Sequence, residues 1–139
     1  MSEAERRERL RVERAVEYIR RRLQLDAHFV YEKSSDGAFM GIDRANREDS
    51  RAFKVTFDPA VLADQSHGQI RCHAFHELIH AMSMPLYSLI DDKILMAVPI
   101  KNGRAGLRKQ YWKEREDVVR HMERRFGPLC FPNLPWSKA

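Results

Sequence analysis

The chain has 139 residues, a formal net charge of +5 at pH 7, 43% hydrophobic residues and 32% charged residues. This length suits one modest hydrophobic core, so we expect residues 1–139 to form a single domain. The composition is typical of a soluble globular protein and argues against a disordered one. No apolar run approaches the length that a membrane-spanning helix needs, so we expect no membrane partner.

The cysteine content and the N-terminal segment indicate a compartment. The first residues, MSEAERRERLRVERAVEYIRRR, lack the apolar stretch of a secretory signal. Cys72 and Cys130 are too few for a disulfide framework, and Cys72 is better explained as a small core residue than as a metal ligand. We therefore expect a cytoplasmic protein.

Positive charge is concentrated near both ends of the chain, in residues 1–25 and 101–126, and residues 26–100 are acidic overall. Two basic helical segments could attract nucleic acid. However, charges alternate in sign at helical spacing in RRERLRVERAVE, which is typical of a solvated face with local ion pairs. A nucleic-acid-binding protein is therefore one alternative function.

The first half of the chain predicts one helix followed by three strands. Apolar residues spaced three and four apart predict an amphipathic helix over residues 3–24. Two β-prone runs then flank Asp36-Gly37, a strong hairpin signal. A third strand, AFKVTF, alternates apolar and polar residues and ends at Asp58-Pro59. The simplest arrangement is a three-stranded antiparallel sheet.

The second half predicts two longer helices. Residues 69–84 contain neither Gly nor Pro, so we expect a helix that ends at Pro85. Its inward residues should be Ile70, Phe75, Ile79 and Met82. Residues 86–108 carry no clear signal. Residues 107–126 predict the last helix, ended by Gly127 and Pro128, and residues 127–139 should form an apolar C-terminal tail packed on the core.

The second predicted helix contains the motif HExxH, in which His76 and His80 flank Glu77. Histidines four residues apart share one helix face, close enough to bind one Zn²⁺. Glu77 can reach a water on that metal and act as general base. Zinc would lower the pKa of the water and polarise a scissile carbonyl. The alternative is that both histidines are ordinary buried or surface residues without a metal.

A catalytic zinc site needs a third protein ligand from a neighbouring element. The candidates are His73, Glu114, Glu116, Asp117 and His121. Glu116 is favoured because it lies on a helical stripe that should face the core, where an unpaired carboxylate would be costly. The apolar members of that stripe are Trp112, Val119 and Phe126. The alternative for Glu116 is an ion pair with an arginine of the first helix.

This order of elements resembles the minimal core of the zincin metallopeptidases, in the glutamate-ligand branch called the gluzincins. It is most similar to the small stand-alone zincin-like proteins of bacterial, phage and mobile-element genomes. The resemblance covers roughly residues 5–126, and its specific content lies in HELIH and EREDVV. It implies an α+β fold, Zn²⁺ bound by His76, His80 and Glu116, and Glu77 as the base that hydrolyses peptide bonds. It also implies that AFKVTF is the edge strand that pairs with an extended peptide or protein substrate.

The chain departs from the gluzincin pattern at Arg120, because an acid four residues after the ligand glutamate often orients a ligand histidine. We expect Asp117 or a backbone carbonyl to take that role. Three residues are candidates for stabilising an oxyanion: Tyr87, Tyr111 and His121. These departures leave a second alternative, a zincin-like protein that binds metal but acts as a binding or regulatory module.

Overall fold

The computed structural model describes residues 1–46 and 48–136, without the side chains of 84–89, 91, 92 and 102. This part of the chain has an α+β fold with four α-helices and one three-stranded sheet. None of its helices combines the length and the apolarity that crossing a lipid bilayer requires. In chain order the elements are α1 (Glu3–Arg22), β1 (His28–Lys33), β2 (Met40–Arg44), β3 (Ala52–Phe57), α2 (Pro59–Leu62), α3 (His67–Leu89) and α4 (Arg104–Cys130).

Helix α1 confirms the helix predicted over residues 3–24. A capping box starts it, in which the Ser2 hydroxyl accepts from the Glu5 N–H and the Glu5 side chain accepts from the Ser2 N–H. Its buried face carries Val12, Val16 and Ile19, none of which is accessible to solvent. This face packs against α3, so α1 supports the helix that bears the HExxH motif.

The sheet has the strand order β1-β3-β2, with β1 parallel to β3 and β2 antiparallel to it. The predicted antiparallel sheet is therefore wrong, because the sheet is mixed. The prediction that AFKVTF is the edge strand is also wrong, since β3 is central and has hydrogen-bonded neighbours on both sides. Strand β2 is the edge strand that packs beside α3.

The reason lies in the turn around Gly37, which passes over the end of β3 instead of closing a hairpin. The Ser34 N–H donates to the carbonyl of Phe57 at 2.8 Å, on one side of β3. The Gly37 N–H donates to the Asp58 carboxylate at 3.0 Å, and the Asp58 N–H donates to the Phe39 carbonyl at 3.5 Å. Asp58 thus ties down the turn and places β2 on the far side of β3.

Both long helices run past the prolines and the glycine that were expected to end them. Helix α3 continues through Pro85 to Leu89 and on into a π-helical turn, Ile90–Ile94. A proline removes one backbone donor and bends a helix, but later residues can resume the hydrogen-bonding pattern. Two 3₁₀ turns, Leu95–Ala97 and Ile100–Asn102, then lead to α4.

Helix α4 passes through Gly127 and Pro128 and ends at Cys130. Gly127 is needed there for packing, because a Cβ at this position would lie 2.8 Å from ring atoms of Trp136. The Trp136 ring also contacts Phe75, and its Nε1–H donates to the carbonyl of Phe131. The Phe131 residue is buried. The C-terminal segment thus packs on the core as far as Trp136, and residues 137–139 lie outside the described part.

The inward-facing residues of α3 and α4 were predicted only in part. Ile70, Phe75 and Ile79 are buried, but the Met82 side chain is 42% exposed. On α4 Val119 is fully buried, whereas Trp112 and Phe126 are about half exposed. The stripe that was expected to turn Glu116 into the core therefore lies at the edge of the α3–α4 contact, so Glu116 faces a cleft.

Candidate metal centre

Helices α3 and α4 bring two histidines and one glutamate together at a single point. His76 and His80 lie one turn apart on α3, and Nε2 of each ring faces the Glu116 carboxylate at 3.2 Å and 2.9 Å. One ligand atom from each of the three residues lies within 4.8 Å of the other two. Among the described residues, this group could hold a metal ion.

The two histidines of this group have pKa values that are shifted in opposite directions. Burial lowers the pKa of His80 despite the charge of Glu116, so this ring is neutral at pH 7. Burial also lowers the pKa of His76, but the hydrogen bond and charge of Glu123 outweigh it and the net pKa is raised. A neutral His76 that donates from Nδ1 has a lone pair on Nε2, the form that binds metals.

Glu123 is the functional residue that sequence reasoning missed. Its Oε2 lies 2.5 Å from Nδ1 of His76, and the two side chains are each only 16% exposed. It lies seven residues after Glu116, two helical turns away on the same face of α4. The acid that orients the histidine therefore lies seven residues after the ligand glutamate, whereas the gluzincin pattern places it four residues after. Asp117, the proposed substitute, is exposed.

The two histidines are not supported alike. Nδ1 of His76 has the carboxylate partner just described, whereas Nδ1 of His80 is buried and has no hydrogen-bond partner within the described part of the chain. Ligand histidines in metal sites usually donate this second ring N–H to an acceptor. The position of His80 therefore depends on packing and on whatever binds its Nε2.

Glu77 points from α3 toward the edge strand β2. Its carboxylate accepts a backbone hydrogen bond from Ile42. Burial raises its pKa to about 7, although the charge of His76 opposes the rise, and the charge of Glu116 adds to it. A carboxyl group that is about half protonated near neutral pH is suited both to accept and to return a proton.

A cavity of about 410 Å³ opens beside this group. His76, Glu77, Glu116 and Glu123 line it, together with His73, Arg120, Arg124 and Trp136. Of the three candidates for stabilising an oxyanion, Tyr111 and His121 are not among the lining residues, and the Tyr87 side chain lies outside the described residues. The cavity places a ligand in reach of the metal-binding group and of Glu77 together.

The remaining candidate ligands do not join the group. Glu114, Asp117 and His121 are exposed on other faces of α4. His73 lines the cavity, but its ring packs on Phe39 with centroids 4.2 Å apart. The alternative considered for Glu116 was an ion pair with an arginine of α1, and the structure does not show that pair among the described residues. The cationic neighbour of Glu116 is Arg120 on the same helix, with Nε 3.5 Å from Oε1.

Comparison with known proteins adds no assignment. No protein-family model matches the chain, and no curated protein or solved structure matches it.

Proposed function

We propose that this protein is a zinc-dependent metallopeptidase in which His76, His80 and Glu116 hold the ion. The observation that carries the proposal is the convergence of both Nε2 atoms on one carboxylate, with Glu77 beside them in the same cavity. Two imidazoles, a ligand carboxylate and a free position are the donor set of a catalytic zinc. The same residues follow from the resemblance to gluzincins.

The donor atoms lie close enough together to converge on one zinc ion. Zn²⁺ binds nitrogen and oxygen at about 2.0–2.2 Å in a tetrahedron, which separates neighbouring donor atoms by about 3.3 Å. Nε2 of His76 lies 3.2 Å from Oε1 of Glu116, Nε2 of His80 lies 2.9 Å from Oε2, and one ligand atom from each of the three residues lies within 4.8 Å of the other two. When bound, zinc would lower the pKa of a water molecule and polarise the scissile carbonyl.

The protein's own side chains would supply the proton transfers and the positioning. Glu77 takes a proton from the attacking water and returns it to the leaving amine, and the Ile42 N–H keeps its carboxylate at the cavity wall. Glu123 fixes the ring of His76 and makes Nε2 the more basic nitrogen. Glu116 balances the charge of the ion.

Strand β2 is the element that would hold an extended peptide. It is the edge strand next to α3, with β3 on its other side, and the backbone of its Ile42 meets the Glu77 carboxylate, which lines the cavity. An extended chain can add to such an edge by backbone hydrogen bonds. The corrected topology thus transfers the substrate-binding role that was assigned to AFKVTF to residues 40–44.

A metal-binding module without turnover is the second candidate, and one observation favours it. Neither Tyr111 nor His121 lines the cavity, so neither is placed to stabilise an oxyanion. In this alternative the zinc site would organise a surface for a partner, and Glu77 would have no catalytic effect.

The decisive experiment compares zinc content and peptide hydrolysis in the wild type and in Glu77→Gln. Cleavage of a mixed peptide library would be followed by mass spectrometry of the new termini. We expect about one zinc per chain in both proteins, and a loss of about 10²–10⁴-fold in rate for Glu77→Gln. Glu114→Gln, an exposed glutamate of α4, is the matched control and should retain full activity.

Each outcome separates the candidates. Zinc in both proteins with hydrolysis only in the wild type supports the peptidase. Zinc in both proteins without hydrolysis in either supports the binding module. A wild-type protein that binds no zinc at neutral pH would rule out both, and salt-dependent binding of DNA or RNA would then be measured.

A further inference from the structure

The cavity has a positively charged wall that zinc binding and proton transfer do not require. Glu116, Arg120 and Arg124 follow one another at a spacing of four on α4, so they share one helix face. Both arginines line the cavity. With a rise of about 1.5 Å per residue, Arg120 lies about 6 Å and Arg124 about 12 Å along the helix from Glu116. These distances correspond to a few residues of an extended peptide.

The two guanidinium groups can be reached by a ligand. Arg124 is exposed, and it forms no ion pair or hydrogen bond with any residue in the described part of the chain. Arg120 is 58% exposed, and its one ion pair is the 3.5 Å contact with Glu116. That carboxylate has closer contacts to both histidines, and a bound cation would take up more of its charge.

Two of the three carboxylates in the cavity have partners outside this wall, and the third, Glu116, pairs with Arg120. Glu123 is hydrogen-bonded to His76, and Glu77 accepts from the backbone of Ile42. A guanidinium binds a carboxylate through two parallel N–H donors, a stronger pairing than with a neutral amide. A nucleic-acid strand would bring further phosphates close to Glu77, Glu116 and Glu123, so a single anionic group fits better.

We propose that the cleft selects substrates with a carboxylate about two to four residues from the scissile bond, bound by Arg124 with Arg120 beside it. The carboxylate is either an Asp or Glu side chain or the free C-terminus of the peptide. This inference rests on the proposed function, because the bound peptide is a substrate only if the protein is a peptidase. Binding of the carboxylate itself can be measured without turnover.

The test uses calorimetry to measure the binding of peptides to the Glu77→Gln variant. The variant is measured once loaded with zinc and once metal-free. One probe pair is acetyl-Ala-Ala-Ala with a free carboxylate against its C-terminal amide. The other is acetyl-Ala-Glu-Ala-amide against acetyl-Ala-Gln-Ala-amide. We expect one acid to bind at least about 10-fold tighter than its neutral partner, which is the usual gain from a hydrogen bond to a charged group. The pair that shows the preference identifies the source of the carboxylate.

Arginine variants test whether Arg120 and Arg124 cause the preference for the acid. Adding Arg124→Gln should abolish the preference for the acid, and adding Arg120→Gln should reduce it. Arg125→Gln removes a neighbouring exposed charge that does not line the cavity, so it should leave the preference unchanged. Circular dichroism and zinc content of each variant show that the fold and the metal site persist.

Three results would overturn the inference: equal binding of acids and amides, a preference that survives Arg124→Gln, or no binding of any probe at millimolar concentration. Displacement of a bound acid by a short oligonucleotide at lower concentration would instead favour a nucleic acid. If the preference is absent while the wild type binds zinc and cleaves neutral peptides, only the inference fails. If the preference is present in a protein that binds no zinc, the peptidase fails and the anion site stands.

Discussion

Oε2 of Glu123 lies 2.5 Å from Nδ1 of His76, although the two residues belong to different helices. The contact joins α4 to α3 beside the metal-binding group and fixes which nitrogen of His76 faces Glu116. Glu116 and Glu123 therefore have different tasks on one face of α4. The first approaches both rings at Nε2, and the second holds one ring from behind.

Removing the Glu123 carboxylate should weaken zinc binding without abolishing it. We expect Glu123→Ala to lower zinc affinity by about 10–100-fold, because His76 loses the partner that orients its ring. Glu123→Gln should cost less, since its amide oxygen can still accept from Nδ1. The affinity would be measured by competition with a chromophoric chelator. Glu114→Gln is the control, and equal affinity in Glu123→Ala and wild type would show that the contact plays no part in binding.

Zinc should also stabilise the folded protein, because the three ligands join α3 to α4. At a free zinc concentration of 100 times Kd, the free energy of unfolding should rise by about 2.7 kcal/mol. Urea denaturation with and without zinc measures this. His80→Ala should abolish the increase, since it removes a donor whose Nε2 lies 2.9 Å from Glu116. An equal increase in this variant would point to zinc bound elsewhere.

Two glycines of α4 should respond to alanine in opposite ways. A Cβ at Gly106 would meet nothing within 4 Å, so Gly106→Ala should stabilise the protein by up to about 1 kcal/mol through helix propensity. A Cβ at Gly127 would lie 2.8 Å from the Trp136 ring, so Gly127→Ala should destabilise it by about 1–3 kcal/mol. Chemical denaturation measures both changes.

The variant Trp136→Ala tests whether the tryptophan ring causes the destabilisation by Gly127→Ala. In Trp136→Ala the cost of Gly127→Ala should fall, leaving only the part due to Pro128, which disfavours a helical residue with a Cβ before it. The same cost in both backgrounds would contradict a role for the tryptophan ring.

The two thiols should differ in reactivity. Burial, with a smaller effect from the charge of Glu123, raises the pKa of Cys72 from its ordinary value of 9.0 to about 11. Because the thiolate is the reactive form and Cys72 is inaccessible to solvent, its rate should be at least about 100-fold below that of an ordinary cysteine at pH 8, and it should rise about tenfold per pH unit up to pH 10. Cys130 is only half-buried and should react first.

A chromogenic disulfide reagent follows both thiols, and the variants Cys72→Ser and Cys130→Ser assign the two phases. Equal rates for the two cysteines in the native protein would contradict the burial of Cys72. Equal rates in denaturant are expected, since unfolding exposes both.

Local patterns predicted the parts of this molecule that depend on neighbours in sequence. The i,i+4 pair His76 and His80 and the amphipathic face of α1 are of this kind. The strand order was not predictable in this way, because it depends on Asp58 binding the turn at Gly37, far from it in sequence. Glu123 was missed for a similar reason: any of several acids on α4 could have met His76, and only the packing of α4 on α3 selects one.

The position of β3 between β1 and β2 has a consequence for how the chain assembles. Strands β1 and β2 share no backbone hydrogen bonds, so each must wait for residues 52–57 before it gains a neighbour. Parallel pairing of β1 with β3 also closes a loop that contains β2, a slower step than forming a hairpin. During synthesis the first stable pair should thus be β2 with β3. The edge strand that packs beside α3 would then exist before α4 brings Glu116 to the two histidines.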